Sequence, residues 1–163
     1  MRNILILLLL FAGQAHLNAQ HGSQENTKVL QVIEQVFEGM RSGDSAMVHA
    51  SFLEDAQLFT ALVNKEGKSI LHKGSLKEFL NAVGSPHDLI WNEHIWNTEV
   101  KIDGNLAQIW TDYAFYAGDK FSHCGVDAFH LFKSEAGWKI FHLTDTRRAE
   151  GCDIPAHIKE QYK

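Results

Sequence analysis

The sequence predicts an α+β domain, for three reasons: apolar residues recur at helical spacing in the first half, the period changes to two from Leu89 onward, and short polar turns separate the strands of that second half. Helices first and an antiparallel meander afterwards is the pattern of a sheet with helices gathered on one side.

In chain order, residues 1–19 read as a secretory signal peptide. Arg2 supplies the positive start, Ile4 to Ala12 an apolar run, and Ala19 the small residue before the cut. The run is shorter than the roughly 20 residues that span a bilayer, so no stable membrane insertion is expected and the mature protein is placed outside the cytoplasm, secreted or periplasmic. Residues 20–26 are polar and are read as a flexible leader, leaving residues 27–163 as one domain. In that domain Val29, Val32, Ile33, Val36, Phe37 and Met40 form one helical stripe, ended by Gly43. Asp44 is placed to cap a short second helix through Ala46, Met47 and Val48. Gln57 to Val63 reads as a strand, Asn64-Lys65-Glu66-Gly67 as its turn and Ile70 to His72 as the return. A third helix carries Leu76, Phe79, Leu80 and Val83 and stops at Gly84-Ser85-Pro86.

From Leu89 the rest of the chain reads as strands. Trp96, Thr98, Val100 and Ile102 are out of phase with Trp91 and Ile95, which implies a β-bulge near Ile95. Asp103-Gly104-Asn105 makes a tight hairpin, and the strands Leu106 to Tyr116, Phe121 to Lys133 and Trp138 to Arg148 follow.

Composition narrows the function classes. The formal net charge of −5, which becomes −6 when Arg2 is removed, makes nucleic acid a poor partner. Cys124 and Cys152 would both reach an oxidising compartment, where a disulfide between them is permitted if their Cα atoms lie within roughly 7 Å. Despite ten histidines, no HxH, HExxH or CxxC spacing occurs, and no Gly-rich phosphate loop or Gly-x-Ser-x-Gly elbow. Neither a metal nor a cofactor is therefore expected.

Several local motifs carry a resemblance. They are Gly43-Asp44, Phe52-Leu53-Glu54-Asp55-Ala56, Gly74 with Phe79, Asp103-Gly104-Asn105-Leu106-Ala107 and Gly137-Trp138-Lys139-Ile140. In this order the chain resembles the nuclear-transport-factor-2-like superfamily, and within it the polyketide-cyclase-like and putative lumazine-binding branch of small exported bacterial proteins. The resemblance implies a cone of curved antiparallel sheet closed by three helices, with a pocket at the wide end and often a homodimer. In the isomerase branch an acidic oxyanion-binding residue falls on the strand before the last; Phe129 stands at that position here.

Counting outward from the hairpin turns, with Tyr116 opposite Phe121 and Lys133 opposite Trp138, gathers Trp110, Asp112, Tyr116, His123, Asp127, Phe129, His142 and Thr144 on one face. Aromatic walls with a few ionisable groups suit a ligand site, so this face is expected to line the pocket. Asp127 then lies opposite Thr144 and diagonal to His142, an arrangement that serves as a general base with its orienting partner or as a structural hydrogen bond. Asp112 on the same face would make a second carboxylate. Trp110, Tyr116, His123, Phe129 and Thr144 would hold a small apolar or aromatic molecule. Three functions remain open: a small-molecule-binding protein, an acid/base enzyme of ketosteroid-isomerase or polyketide-cyclase type using Asp127, His142 or Asp112, and a structural dimeric domain whose pocket its own side chains fill.

Overall fold

The computed structural model describes residues 24–163, so the signal peptide and residues 20–23 of the leader lie outside the described residues. Residues 24–26, expected to be flexible, are already helical. The cause is Glu25, which is buried and takes Lys133 Nζ at 2.7 Å, Trp138 Nε1 at 3.0 Å and Lys28 Nζ at 2.8 Å. These donors, the two lysines foremost, hold its pKa down to about 2, and those from Lys133 and Trp138 tie the start of the helix to the last hairpin of the sheet.

The chain then forms α1 (24–42), α2 (Ser45–Ala50), β1 (Phe52–Val63), β2 (Ser69–Gly74), α3 (Leu76–Gly84), β3 (Trp91–Asp103), β4 (Leu106–Ala117), β5 (Lys120–Ser134), β6 (Gly137–Thr146) and α4 (Ala156–Lys159). Asp44 Oδ1 accepts from the Met47 amide and Ser75 Oγ from that of Glu78, so α2 and α3 both start on side-chain caps. One six-stranded sheet in the order β2-β1-β6-β5-β4-β3 curves around the helices. Neighbouring strands are antiparallel except at the β1/β6 seam, which is parallel because β1 and β6 are joined through the rest of the sheet rather than by a hairpin. The concave face packs on α1 and α3 through Val29, Ile33, Val36, Val83, Ile109, Phe129, Leu131 and Ile140, all essentially inaccessible to water. Each such side chain contributes roughly 2 kcal/mol.

Two features depart from the expected outline. Strand β1 begins at Phe52 rather than Gln57, because buried Phe52 already pairs with Ile140 before the register jumps. The last strand ends at Thr146, and the chain beyond it crosses the convex face. There Ile154, Ile158 and Tyr162 cover Ala114 and Tyr116, and a disulfide joins Cys124 to Cys152 with Cα atoms 6.1 Å apart.

Candidate functional site

Three one-residue irregularities decide which side chains meet inside the cone. On β3 the register shifts between Trp96 and Glu99, where Asn97 takes a φ of 51° and Thr111 donates its hydroxyl to Trp96 O at 3.0 Å. The bulge expected near Ile95 therefore falls just after it. Trp91, Glu93 and Ile95 share the concave face with Thr98, Val100 and Ile102 beyond the bulge. On β5, Tyr116 does pair with Phe121, but Phe115 pairs with His123, leaving Ser122 as the extra residue. On β6, Leu131 pairs with Ile140 while His130 pairs with His142, leaving Phe141 extra. A slip of one residue exchanges the two faces of a strand.

The face expected to line the pocket is therefore split. Trp110, Asp112 and Tyr116 lie on the convex side. Trp110 is half exposed, Asp112 accepts from Asn97 Nδ2 at 2.9 Å, and Tyr116 stacks on Tyr162 at 3.8 Å under the C-terminal segment. His142 and Thr144 are convex too: His142 lies opposite His130, and Thr144 opposite Ala128. His123, Asp127 and Phe129 do line the pocket. Asp127 faces Asp145 rather than Thr144 and has no contact with His142.

The pocket has a volume of about 430 Å³ and lies between the concave sheet, α1 and α3. Its own side chains do not fill it. The walls are largely apolar, with Phe37, Met40, Phe79, Trp91, Phe115 and Phe129 among them, and Glu93, Tyr113, His123, Asp127 and Asp145 bring polar groups from β3 to β6. Across the sheet, Thr111, Asp127, Asp145 and Thr60 form one row, and Glu93, Phe115 and His123 another. Between these rows lies Gly125, opposite Tyr113. A Cβ on Gly125 would meet Thr146 O at 1.8 Å and the Tyr113 ring at 2.8 Å, so only glycine lets the strand and the ring approach this closely.

Asp145 is buried and fully engaged. It accepts from Thr60 Oγ1 at 2.6 Å, from Arg147 Nε at 2.6 Å and from the Tyr113 hydroxyl at 3.2 Å, while that hydroxyl also reaches Thr146 O at 2.9 Å. Burial, then the Asp145 charge, lifts the Tyr113 phenol further above its ordinary value, so it remains a donor. Asp127 is different. It is only 3 % exposed, and its Oδ2 has no hydrogen-bond partner among the described residues. Burial, followed by the negative charge of Glu93, pushes its pKa well up. Burial also raises Glu93, to about 7, although the neighbouring Asp127 carboxyl opposes the rise. The pair thus retains a proton to higher pH than two solvated carboxylates would. His123 stays neutral because burial, then Arg147, lowers its pKa; its Nδ1 is 2.9 Å from Ser122 Oγ.

This cluster sets two carboxyl groups with raised pKa values side by side in a pocket with aromatic walls. Glu93, Tyr113, Asp145 and Arg147 are the members that reading the sequence missed. Glu93 was detectable, since it interrupts the apolar phase Trp91, Glu93, Ile95, and a carboxylate in a core phase marks an acid on the inward face. Among the described residues, no group of three or more His, Cys, Asp or Glu side chains is placed to hold a metal ion.

Residues 24–143 match the family model described as putative lumazine-binding. No curated protein matches the sequence. Among solved structures, one described as a putative scytalone dehydratase from Novosphingobium aromaticivorans superposes with a TM-score of 0.64 at 11% identity, covering 84% of this chain and 93% of that one. A putative dehydratase of the NTF2-like family from Streptomyces avermitilis gives 0.61 at 12% identity, over 79% and 99%. An NTF2-like protein of unknown function from Shewanella baltica gives 0.58 at 18% identity, over 78% and 97%. Likeness at these identities speaks for the fold.

Proposed function

The chain belongs to the putative lumazine-binding family, within the nuclear-transport-factor-2-like superfamily, and from that premise we propose that it is an exported protein that binds a small, planar, uncharged heteroaromatic molecule in its concave pocket. The observation that carries this reading is the Glu93–Asp127 pair in a cavity whose walls are largely apolar. A carboxylic acid presents O–H and C=O on one edge, which complements the C=O and N–H edge of a lactam or imide. Trp91 and Phe115 supply flat apolar walls for the ring system. Lumazine itself, a fused bicyclic imide, fits both the edge and the volume.

Export is supported by the apolar run Ile4 to Ala12 and by the Cys124–Cys152 bond, which suits an oxidising compartment. A homodimer through the convex face belongs to the same reading, because Leu106, Trp110 and Phe132 remain exposed there; light scattering on the mature protein tests it. Calorimetric titration of lumazine at pH 6 tests the pocket. Glu93→Leu should weaken binding tenfold or more, whereas Trp110→Ala, on the opposite face, should leave affinity unchanged. Equal affinity in wild type and Glu93→Leu would remove the pair from the binding site.

The Glu93 pKa near 7 supports a second reading, acid/base chemistry next to a carbonyl. Glu93 would take a proton from the carbon beside the carbonyl, and protonated Asp127 or Tyr113 would stabilise the oxyanion. Deuterium uptake from D2O into a bound cyclic ketone, lost in Glu93→Gln, would support it. No uptake while lumazine binds would leave binding alone.

A further inference from the structure

His142 was expected in the pocket and is not there, which leaves a pair of histidines with no part in the site. His130 and His142 are directly opposed on β5 and β6, on the convex face, with their Nδ1 atoms 3.1 Å apart and ring centroids 5.2 Å apart. His142 Nε2 lies 3.2 Å from Thr144 Oγ1. The rings of Phe141, beside His130, and of Phe59, beside His142, flank the pair at 6.1 Å and 5.7 Å.

In neutral rings one Nδ1–H donates to the lone pair of the other Nδ1 across this gap. When each ring instead carries its proton on Nε2, with that of His142 donated to Thr144 Oγ1, both Nδ1 atoms present lone pairs and a metal ion can take the place of the shared proton.

We propose that His130 and His142 form a two-nitrogen site for a divalent ion of zinc type, bound through both Nδ1 atoms, with water in the remaining positions. Zinc–imidazole bonds of roughly 2.0–2.1 Å put two nitrogens about 2.9 Å apart at a right angle and about 3.4 Å apart at a tetrahedral angle. The observed 3.1 Å falls between these values. Both residues are fixed in a sheet ladder, so little conformational freedom is lost on binding, and Thr144 serves as the outer partner that orients a ligating imidazole. Borderline ions suit imidazole ligands; magnesium and calcium, which prefer oxygen, do not.

The test uses the mature protein and zinc chloride in a non-chelating buffer at pH 7.5. Ring-¹⁵N NMR of the wild type should show the Nδ1 resonances of His130 and His142 moving together and saturating at one equivalent. In calorimetry, His130→Ala and His142→Ala should each weaken zinc binding at least tenfold, while His49→Ala, which removes an exposed histidine paired with Glu54, should not. Zinc shifts confined to other histidines, or unchanged affinity in folded His142→Ala, would overturn the site. The wild-type spectra decide the matter even if a variant fails to fold.

Discussion

Replacing Glu93 with glutamine should alter how stability depends on pH by an amount the structure specifies. Glu93 titrates at an ordinary 4.5 when unfolded and at about 7 in the native pocket. Below 4.5 both states hold the proton. Between the two values only the folded state does, so rising pH draws the equilibrium toward the unfolded chain, and the loss is complete just above pH 7. The displacement corresponds to about 3 kcal/mol. His94, His123 and His130 act in the opposite sense, because burial lowers their pKa values and favours folding as pH rises toward 6.5. The informative quantity is therefore the difference between proteins. Urea unfolding at pH 5 and pH 8 should show Glu93→Gln gaining up to about 3 kcal/mol on the wild type at the higher pH relative to the lower. Parallel pH profiles would refute the reasoning, since Glu93 would then be an ordinary solvated carboxylate.

Gly125→Ala should cost more than about 3 kcal/mol or prevent folding, because its methyl group would meet a backbone oxygen at 1.8 Å; chemical denaturation or soluble yield measures it. Cys152→Ser opens a cross-link spanning 28 residues and should cost about 3–4 kcal/mol. The same change should raise hydrogen exchange in residues 147–162, while α1 remains protected. Glu25 works in the opposite direction to Glu93. Its pKa is lowered, so its contribution is present above pH 4.5 and lost as pH falls toward 2. Glu25→Gln should therefore be less stable than wild type at pH 7 and show a shallower acid limb in thermal melts.

The outline of the fold was legible because it rests on strong periodic signals. The stripe from Val29 to Met40, the cap Asp44, and the period-two strands after Leu89 all appear where the pattern places them. The phase break on β3 was legible too, since Trp91 and Ile95 cannot share a face with Thr98, Val100 and Ile102 without a bulge between them, although Trp96, read with the second group, falls on the opposite face. The bulges at Ser122 and Phe141 carry no such mark. Both flanking phases contain aromatic and polar residues, so counting from a correctly placed turn runs on unbroken and exchanges the faces. That exchange put Trp110, Tyr116 and His142 inside and Tyr113 and Asp145 outside. Asp127 was assigned to the pocket side because the count within β5 itself holds beyond the bulge. Its partner went unrecognised because Glu93 lies in β3, more than thirty residues earlier in the chain.

Carboxyl-¹³C NMR of Glu93, titrated from pH 4 to 9 with and without saturating lumazine, tests the central claim most directly. If the Glu93–Asp127 pair is the recognition element, Glu93 titrates near 7 in the free protein and moves higher with the neutral ligand bound, because the protonated edge is the one that binds. A Glu93 that titrates near 4.5 and does not respond to the ligand would contradict it.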